Sequence, residues 1–290
     1  MTLEAILKQT TDLPTFPAAA LAVLKETSSA DASANSISKH ITQDQALTAR
    51  VLRLANSAYY GLPRQVMDVS ESVIVLGTRT VRNLCMVAAT YPWMSRPLPG
   101  YGLEPYHLWV NSFSVALGSK LIAERTGAAQ SDSAFTAGLL HNIGKVALSA
   151  WLENKLGSVQ QIAQAEGLSF DEVERRMFGF DHAEVGAFLA ERWNLPKPYV
   201  DVIRFHHQPE ACGAGSPLVD ITHLADHLSM NLGFGVGGDG LLYRFSEPAM
   251  SELGLTAGGL EELGAELSET YEKQEKLFLD NESASERRAA

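Results

Sequence analysis

The chain has 290 residues, 46% of them hydrophobic, enough to bury a core in one large domain or two smaller ones without staples. Its formal net charge of −11 argues against broad electrostatic wrapping of nucleic acid. The 2 cysteines, Cys85 and Cys212, lie far apart and form neither a disulfide framework nor a thiolate metal pattern, so a reducing, cytoplasmic setting is expected, with no secretory signal and no membrane insertion. Much of the negative charge lies at the end, where residues 261–290 carry nine acids against four bases.

The pattern reads helical almost throughout. Pro14 and Pro17 bracket the start of a helix over 18–27, and another begins near Ser33 and ends before Asp44. Leu47, Val51, Leu54, Ala55 and Ala58 fall on one stripe at three-to-four spacing, the mark of a helix with one buried face. Asn56 closes that helix and is expected to hydrogen-bond its frayed carbonyls or the loop that follows. Two short apolar helices come next, split at Gly77, the second running to about Tyr91. Pro92, Pro97 and Pro99, then Gly100 and Gly102, are expected to break the chain and expose Tyr101 and Tyr106 on a linker.

The second part opens on a stripe of Trp109, Phe113, Ala116, Leu117 and Leu121. The apolar run "SAFTAGLLHNIGKVALSAWL" follows, with Gly144 expected to relax or end a helix. Further helices are expected near 158–166, 170–177, 182–193, 198–206 and 217–231. "GFGVGGDG" at 233–240 reads as a flexible loop, because it lacks the Lys-Ser/Thr ending of a phosphate-binding loop and follows no strand. A last amphipathic helix is expected over 259–278. The prediction is an all-α, two-lobed chain: an N-terminal helical lobe over 1–98, a second helical lobe over 103–232, a glycine-containing loop region over 233–258, and a C-terminal helix with an acidic, partly disordered tail over 259–290.

Seven of the 8 histidines fall in the second part, at 107, 141, 182, 206, 207, 223 and 227. His223 and His227, at i and i+4, share a helix face and could chelate one ion. A divalent metal needs three or more lone-pair donors converging at about 2 Å, and segments around 141, 182, 206–207 and 226 could supply them from facing helices. Spacing alone favours imidazoles that bond backbone carbonyls and fix helix packing over metal ligands. Arg50 with Arg53 and Arg79 with Arg82 could form a four-guanidinium patch suited to an acidic partner or a phosphate, or be ordinary solvated arginines.

The segments "FTAGLLHNIGKVAL", "FDHAEVGAFLAERWNLP" and "VIRFHH", with "DLPTFP", "QDQALTARVLRLANSAYYG" and "VSESVIVLGTRTVRNLCMV" upstream, resemble the HDOD branch of the HD superfamily of metal-dependent phosphohydrolases, a set of bacterial signalling-associated domains related to HD-GYP phosphodiesterases. The blocks span roughly residues 10–232 in the family's order. The resemblance implies an N-terminal bundle and an HD-like helical lobe, with metal ligands at His141, His182, His206, His207 and Asp226 and a phosphate contact at Lys145. Two positions depart: Asn111 stands where the first metal histidine would lie, and Asn142 replaces the aspartate of the His-Asp pair. Losing an imidazole and an anionic oxygen leaves a two-metal hydrolytic site incomplete.

The resemblance therefore implies a non-catalytic signalling or scaffold domain that works through signalling proteins or self-association, with no catalytic residue and no required cofactor, although one divalent ion (Fe, Mn, Zn, Ni or Mg) could still be held. The alternatives are a metal-dependent phosphohydrolase of nucleotides, phosphomonoesters or cyclic dinucleotides, and a sensor that binds a nucleotide or other small anion in the vestigial pocket.

Overall fold

The computed structural model describes residues 15–27, 33–57, 60–213, 215–238 and 244–289, the backbone alone for 275–289. Pro14, Ala58 and Tyr59 lie outside these. Among the described residues the chain is all-α, with no strand beyond a single bridge between Leu98 and Leu103. It divides into two compact units, one containing Thr90–Gly264, the other Phe16–Ala89 and the end of the last helix.

The smaller unit holds α1 (Ala18–Glu26), α2 (Ala34–Ile41), α3 (Gln45–Ala55), α4 (Val69–Leu76) and most of α5 (Thr78–Met94). Ser33, Asp44 and Asp68 each accept a backbone N–H from the first turn of the helix they precede, which fixes three of these starts. Leu24, Ile37, Ile41, Leu47, Val51 and Val73 form its core, with α2 packed on α1 and α4. Asn56 bonds both the frayed end of α3 and the following loop: its Nδ2 donates to Leu52 O (3.0 Å) and Val66 O (2.9 Å), and its Oδ1 accepts from Val66 N (2.7 Å).

Helix α5 does not stop at Tyr91 as expected, but runs through Pro92 to Met94. A proline has no N–H to give the carbonyl four residues back. Here that carbonyl belongs to Ala88, and Arg50 Nη1 donates to it instead at 3.3 Å. The other arginines are spread: Arg53 and Arg79 are exposed, and Arg82 is buried with Nε and Nη2 lacking hydrogen-bond partners.

The larger unit is built around α6 (His107–Thr126), whose residues 111–119 are buried without interruption. A helix buried on all faces belongs to a core rather than a surface. Against it pack α7 (Ser131–Leu140) and α13 (Pro217–Asn231). Helices α8 (Ile143–Leu152), α9 (Leu156–Glu166), α10 (Phe170–Phe178), α11 (His182–Arg192) and α12 (Lys197–Phe205) complete the unit, with α11 bridging α8 and α12. Gly144 neither ends nor relaxes a helix; it lies in the first turn of α8, where a Cβ would stand 1.8 Å from His182 O. Glycine is there because α8 and α11 approach too closely for any side chain.

Three further expectations change. Tyr101 is fully buried rather than displayed on a linker, because the 96–103 stretch folds into the unit through a short 3-10 turn, Pro99–Tyr101. Residues 233–238 are not a free loop: Gly238 N donates to Tyr101 O (2.7 Å), and a Cβ on Gly235 would lie 2.1 Å from His107 O. Finally, a short helix α14 (Glu247–Glu252) follows, capped by Ser246, and α15 runs Ala257–Ala289 rather than ending near 278 in a disordered tail. No proline or glycine follows Gly264, so no residue interrupts α15. No helix among the described residues is long and apolar enough to cross a membrane.

Candidate metal centre

His141 ends α7 and Asn142 begins α8, so the tight turn between two buried helices carries both side chains inward. His141 Nδ1 meets Gly138 O at 2.7 Å. His206, at the end of α12, repeats the arrangement with Nδ1 on Ile203 O at 2.9 Å. A carbonyl can only accept, so each ring carries its proton on Nδ1 and leaves the Nε2 lone pair free.

Those lone pairs converge with Asp226 from α13: the three ligand atoms lie within 4.8 Å of one another. His141 Nε2, His206 Nε2 and Asp226 Oδ1 are buried and have no hydrogen-bond partner. His141 Nε2 and Asp226 Oδ1 lie 3.5 Å apart, too long for a hydrogen bond to satisfy either atom. Unsatisfied polar atoms in a core are costly. Two imidazoles and a carboxylate oriented in this way fit a single divalent cation of the Fe, Mn, Zn or Ni type.

Electrostatics agree with that donor set. Burial, followed by the neighbouring His141, holds His206 well below the ordinary imidazole range and so keeps its ring neutral. Burial alone would raise the Asp226 carboxyl, but the facing His141, with Lys145, more than offsets it and holds it well below the usual carboxylate range.

His182 and His207 form a second group with His206. His182 is the first residue of α11, after the helix-capping Asp181, and its Nε2 lies 2.9 Å from His207 Nε2. Its other nitrogens are fixed by a residue the sequence reading missed. Glu174, fully buried on α10, accepts from His182 Nδ1 (2.7 Å) and His182 N (3.0 Å), and its second oxygen accepts from Tyr101 Oη (2.6 Å). The available signal was an acid on the apolar stripe Phe170, Val173, Glu174.

The two departures from the family pattern meet in space. Asn142 Nδ2 donates to Asn111 Oδ1 at 3.1 Å, both side chains are buried, and Asn142 Oδ1 has no partner. The amides thus tie α6 to the turn before α8. Lys145 is also buried, its Nζ 5.6 Å from the Tyr101 ring centroid. The cavity against Asp226, His207, His223 and His227 has a volume of about 20 Å³, room for a water or an ion. A second cavity of about 260 Å³ adjoins His207, walled by Asp171, Glu172 and Glu210 with Arg244.

His223 and His227 do not act as a chelating pair. His223 Nδ1 donates to His206 O (2.7 Å) and its Nε2 accepts from Ser246 N (3.0 Å), while His227 packs on Phe245 with ring centroids 4.7 Å apart. His107 is half-buried on the first turn of α6, and His40 lies in the smaller unit beside Glu26.

Comparison with known proteins accounts for this arrangement. A family model for the HDOD domain matches residues 13–209. An HDOD domain protein of unknown function from Geobacter sulfurreducens is 28% identical, with a TM-score of 0.77 over 95% of each chain. A candidate phosphohydrolase from Shewanella amazonensis SB2B is 26% identical, with a TM-score of 0.68 over 94% of this chain and 96% of that one. An uncharacterized protein of Treponema pallidum (strain Nichols) is 32% identical over 218 residues, 74% of this chain, which spans only 42% of that relative's length. The all-helical fold, the histidine–aspartate cluster and the family match together establish that this chain belongs to the HDOD domain family of the HD superfamily.

Proposed function

We propose that this chain is a non-catalytic signalling or scaffold module that acts through protein contacts and retains an HD-type pocket able to hold one divalent ion. The observation that carries this reading is the Asn142–Asn111 hydrogen bond, formed by the two positions where a hydrolytic site needs a bridging carboxylate and an imidazole. An amide offers no charge to hold a second cation beside the first. The small cavity against Asp226 and the burial of Lys145, its Nζ 5.6 Å from the Tyr101 ring centroid, support the same conclusion, since the first has room for an ion but not for a phosphoester and the second is turned away from solvent.

His141, His206 and Asp226 would hold the ion. A bound divalent cation supplies positive charge that can acidify water or polarise a phosphoryl oxygen. The chain's own groups serve a more limited end: the Nδ1 bonds orient the rings, Glu174 fixes His182, and the amide pair closes the second position. Of the four arginines, Arg53 is exposed and could meet an acidic partner surface. The unpaired cysteines, with the Cys85 thiol pushed up by burial, suit a reducing cytoplasmic setting.

A metal-dependent phosphohydrolase is the second reading, favoured by the partnerless lone pairs on His141 and His206. The sensor reading has less support, because carboxylates wall the larger cavity and repel an anion. Anomalous scattering from crystals grown with Mn²⁺ separates the first two. One ion at His141, His206 and Asp226 is expected; two ions about 3.5–4 Å apart would overturn the non-catalytic reading.

A further inference from the structure

His223 joins two places that are distant in sequence. It lies in α13, 5% exposed, and both ring nitrogens are used. Nδ1 donates to the main-chain oxygen of His206, a carbonyl at the frayed end of α12. Nε2 accepts from Ser246 N. Ser246 in turn caps α14, its Oγ accepting from Ala249 N at 3.1 Å, and the same hydroxyl donates to Glu210. The outer side of α14 is exposed at Glu247, Pro248, Ser251 and Glu252. A continuous set of hydrogen bonds therefore runs from a buried ligand of the ion site to a surface helix.

We propose that His223 is a positioning residue that couples ion occupancy at His206 to the order of α14, and so makes the buried pocket readable by a partner at the surface. This rests on the single-ion reading above. In the free chain the buried His206 ring makes one side-chain hydrogen bond, through Nδ1, and its Nε2 has no partner. Coordination at Nε2 immobilises the ring and with it the last turn of α12. The His206 carbonyl then presents a fixed acceptor to His223, whose other nitrogen is locked onto Ser246. Ordering one end lowers the entropy that remains to be lost at the other, which is how sites couple without a large displacement.

The test is amide hydrogen exchange over residues 246–253 in the full chain, with and without saturating Mn²⁺, alongside calorimetry of Mn²⁺ binding. In the wild type, Mn²⁺ is expected to slow exchange there by about tenfold or more. In His223→Asn, the amide reaches the position of Nδ1 and keeps the bond to His206 O, but falls short of Ser246. That variant is expected to bind Mn²⁺ with near wild-type affinity while exchange over 246–253 no longer responds. Binding retained with coupling lost is a split that a merely structural histidine would not give. Wild-type protein that binds Mn²⁺ at the cluster with unchanged exchange over 246–253 refutes the proposal alone, as does a His223→Asn variant that still responds. Wild-type protein that binds no Mn²⁺ refutes the single-ion reading and the coupling with it.

Discussion

Asn142→Asp restores the residue that the HD pattern calls for and shows whether the present pocket tolerates it. Asn142 is 1% exposed and donates from Nδ2 to Asn111 Oδ1 at 3.1 Å. Replacing that nitrogen by oxygen sets two acceptors face to face in a core. Leaving a buried charge uncompensated costs about 3–5 kcal/mol. The new carboxyl can escape by taking up a proton, which caps the loss: raising its pKa from about 3.9 to above 7 costs at most about 4 kcal/mol at pH 7. The same argument gives about 1.5 kcal/mol at pH 5, since one pKa unit is about 1.4 kcal/mol. Urea unfolding in chelator should therefore show a loss of about 3–4 kcal/mol at pH 7 that shrinks by more than half at pH 5. Saturating Mn²⁺ supplies the missing charge and should recover about 2.7 kcal/mol at a hundredfold excess over Kd. A variant within about 1 kcal/mol of wild type in chelator at pH 7 would refute the view that the amide pair is a structural replacement for charge.

Other consequences are simpler to test. Gly144→Ala places a methyl 1.8 Å from His182 O and should force α8 and α11 apart, costing about 3 kcal/mol or more in thermal unfolding. Glu174→Leu strips His182 Nδ1 and N of their acceptor and should cost about 3 kcal/mol, with NMR showing the His182 ring in mixed tautomers. For pH, the neutral form of His206, His207 and His223 is favoured in the fold, burial being the first cause in each case. The unfolded chain thus binds more protons as pH falls below about 6.5, so stability is full above that value and is lost below it. Denaturant unfolding between pH 7.5 and 5 should show the loss, at up to about 1.4 kcal/mol per unit for each histidine; constant stability across that range contradicts buried neutral rings.

Helix existence was legible in the sequence because apolar spacing and caps report local physics. Ser33 and Asp44 announce the starts they make, and the 45–55 stripe is the face that is buried. What the sequence could not show was set by distant partners. Pro92 reads as a breaker until Arg50 reaches the carbonyl it leaves bare. Gly144 and Gly235 read as flexible, yet both are crowded by backbone from elsewhere in the chain. The same holds for the site. Histidine and aspartate types matched a known pattern that singled out His141, His206 and Asp226, whose ligand atoms the fold brings within 4.8 Å of one another. Nothing local marks His223 as used at both nitrogens, or Asn142 as bonded to Asn111, because each partner comes from a different helix.

Phosphoester hydrolysis by the purified wild-type chain, with Mn²⁺ or Fe²⁺, is the measurement that bears most directly on the account. A panel of a phosphomonoester, a nucleotide and a cyclic dinucleotide should give turnover no faster than the metal ion alone. Chelator-sensitive turnover at about 1 s⁻¹ or faster, abolished by His182→Ala, would contradict a pocket that holds its ion without chemistry.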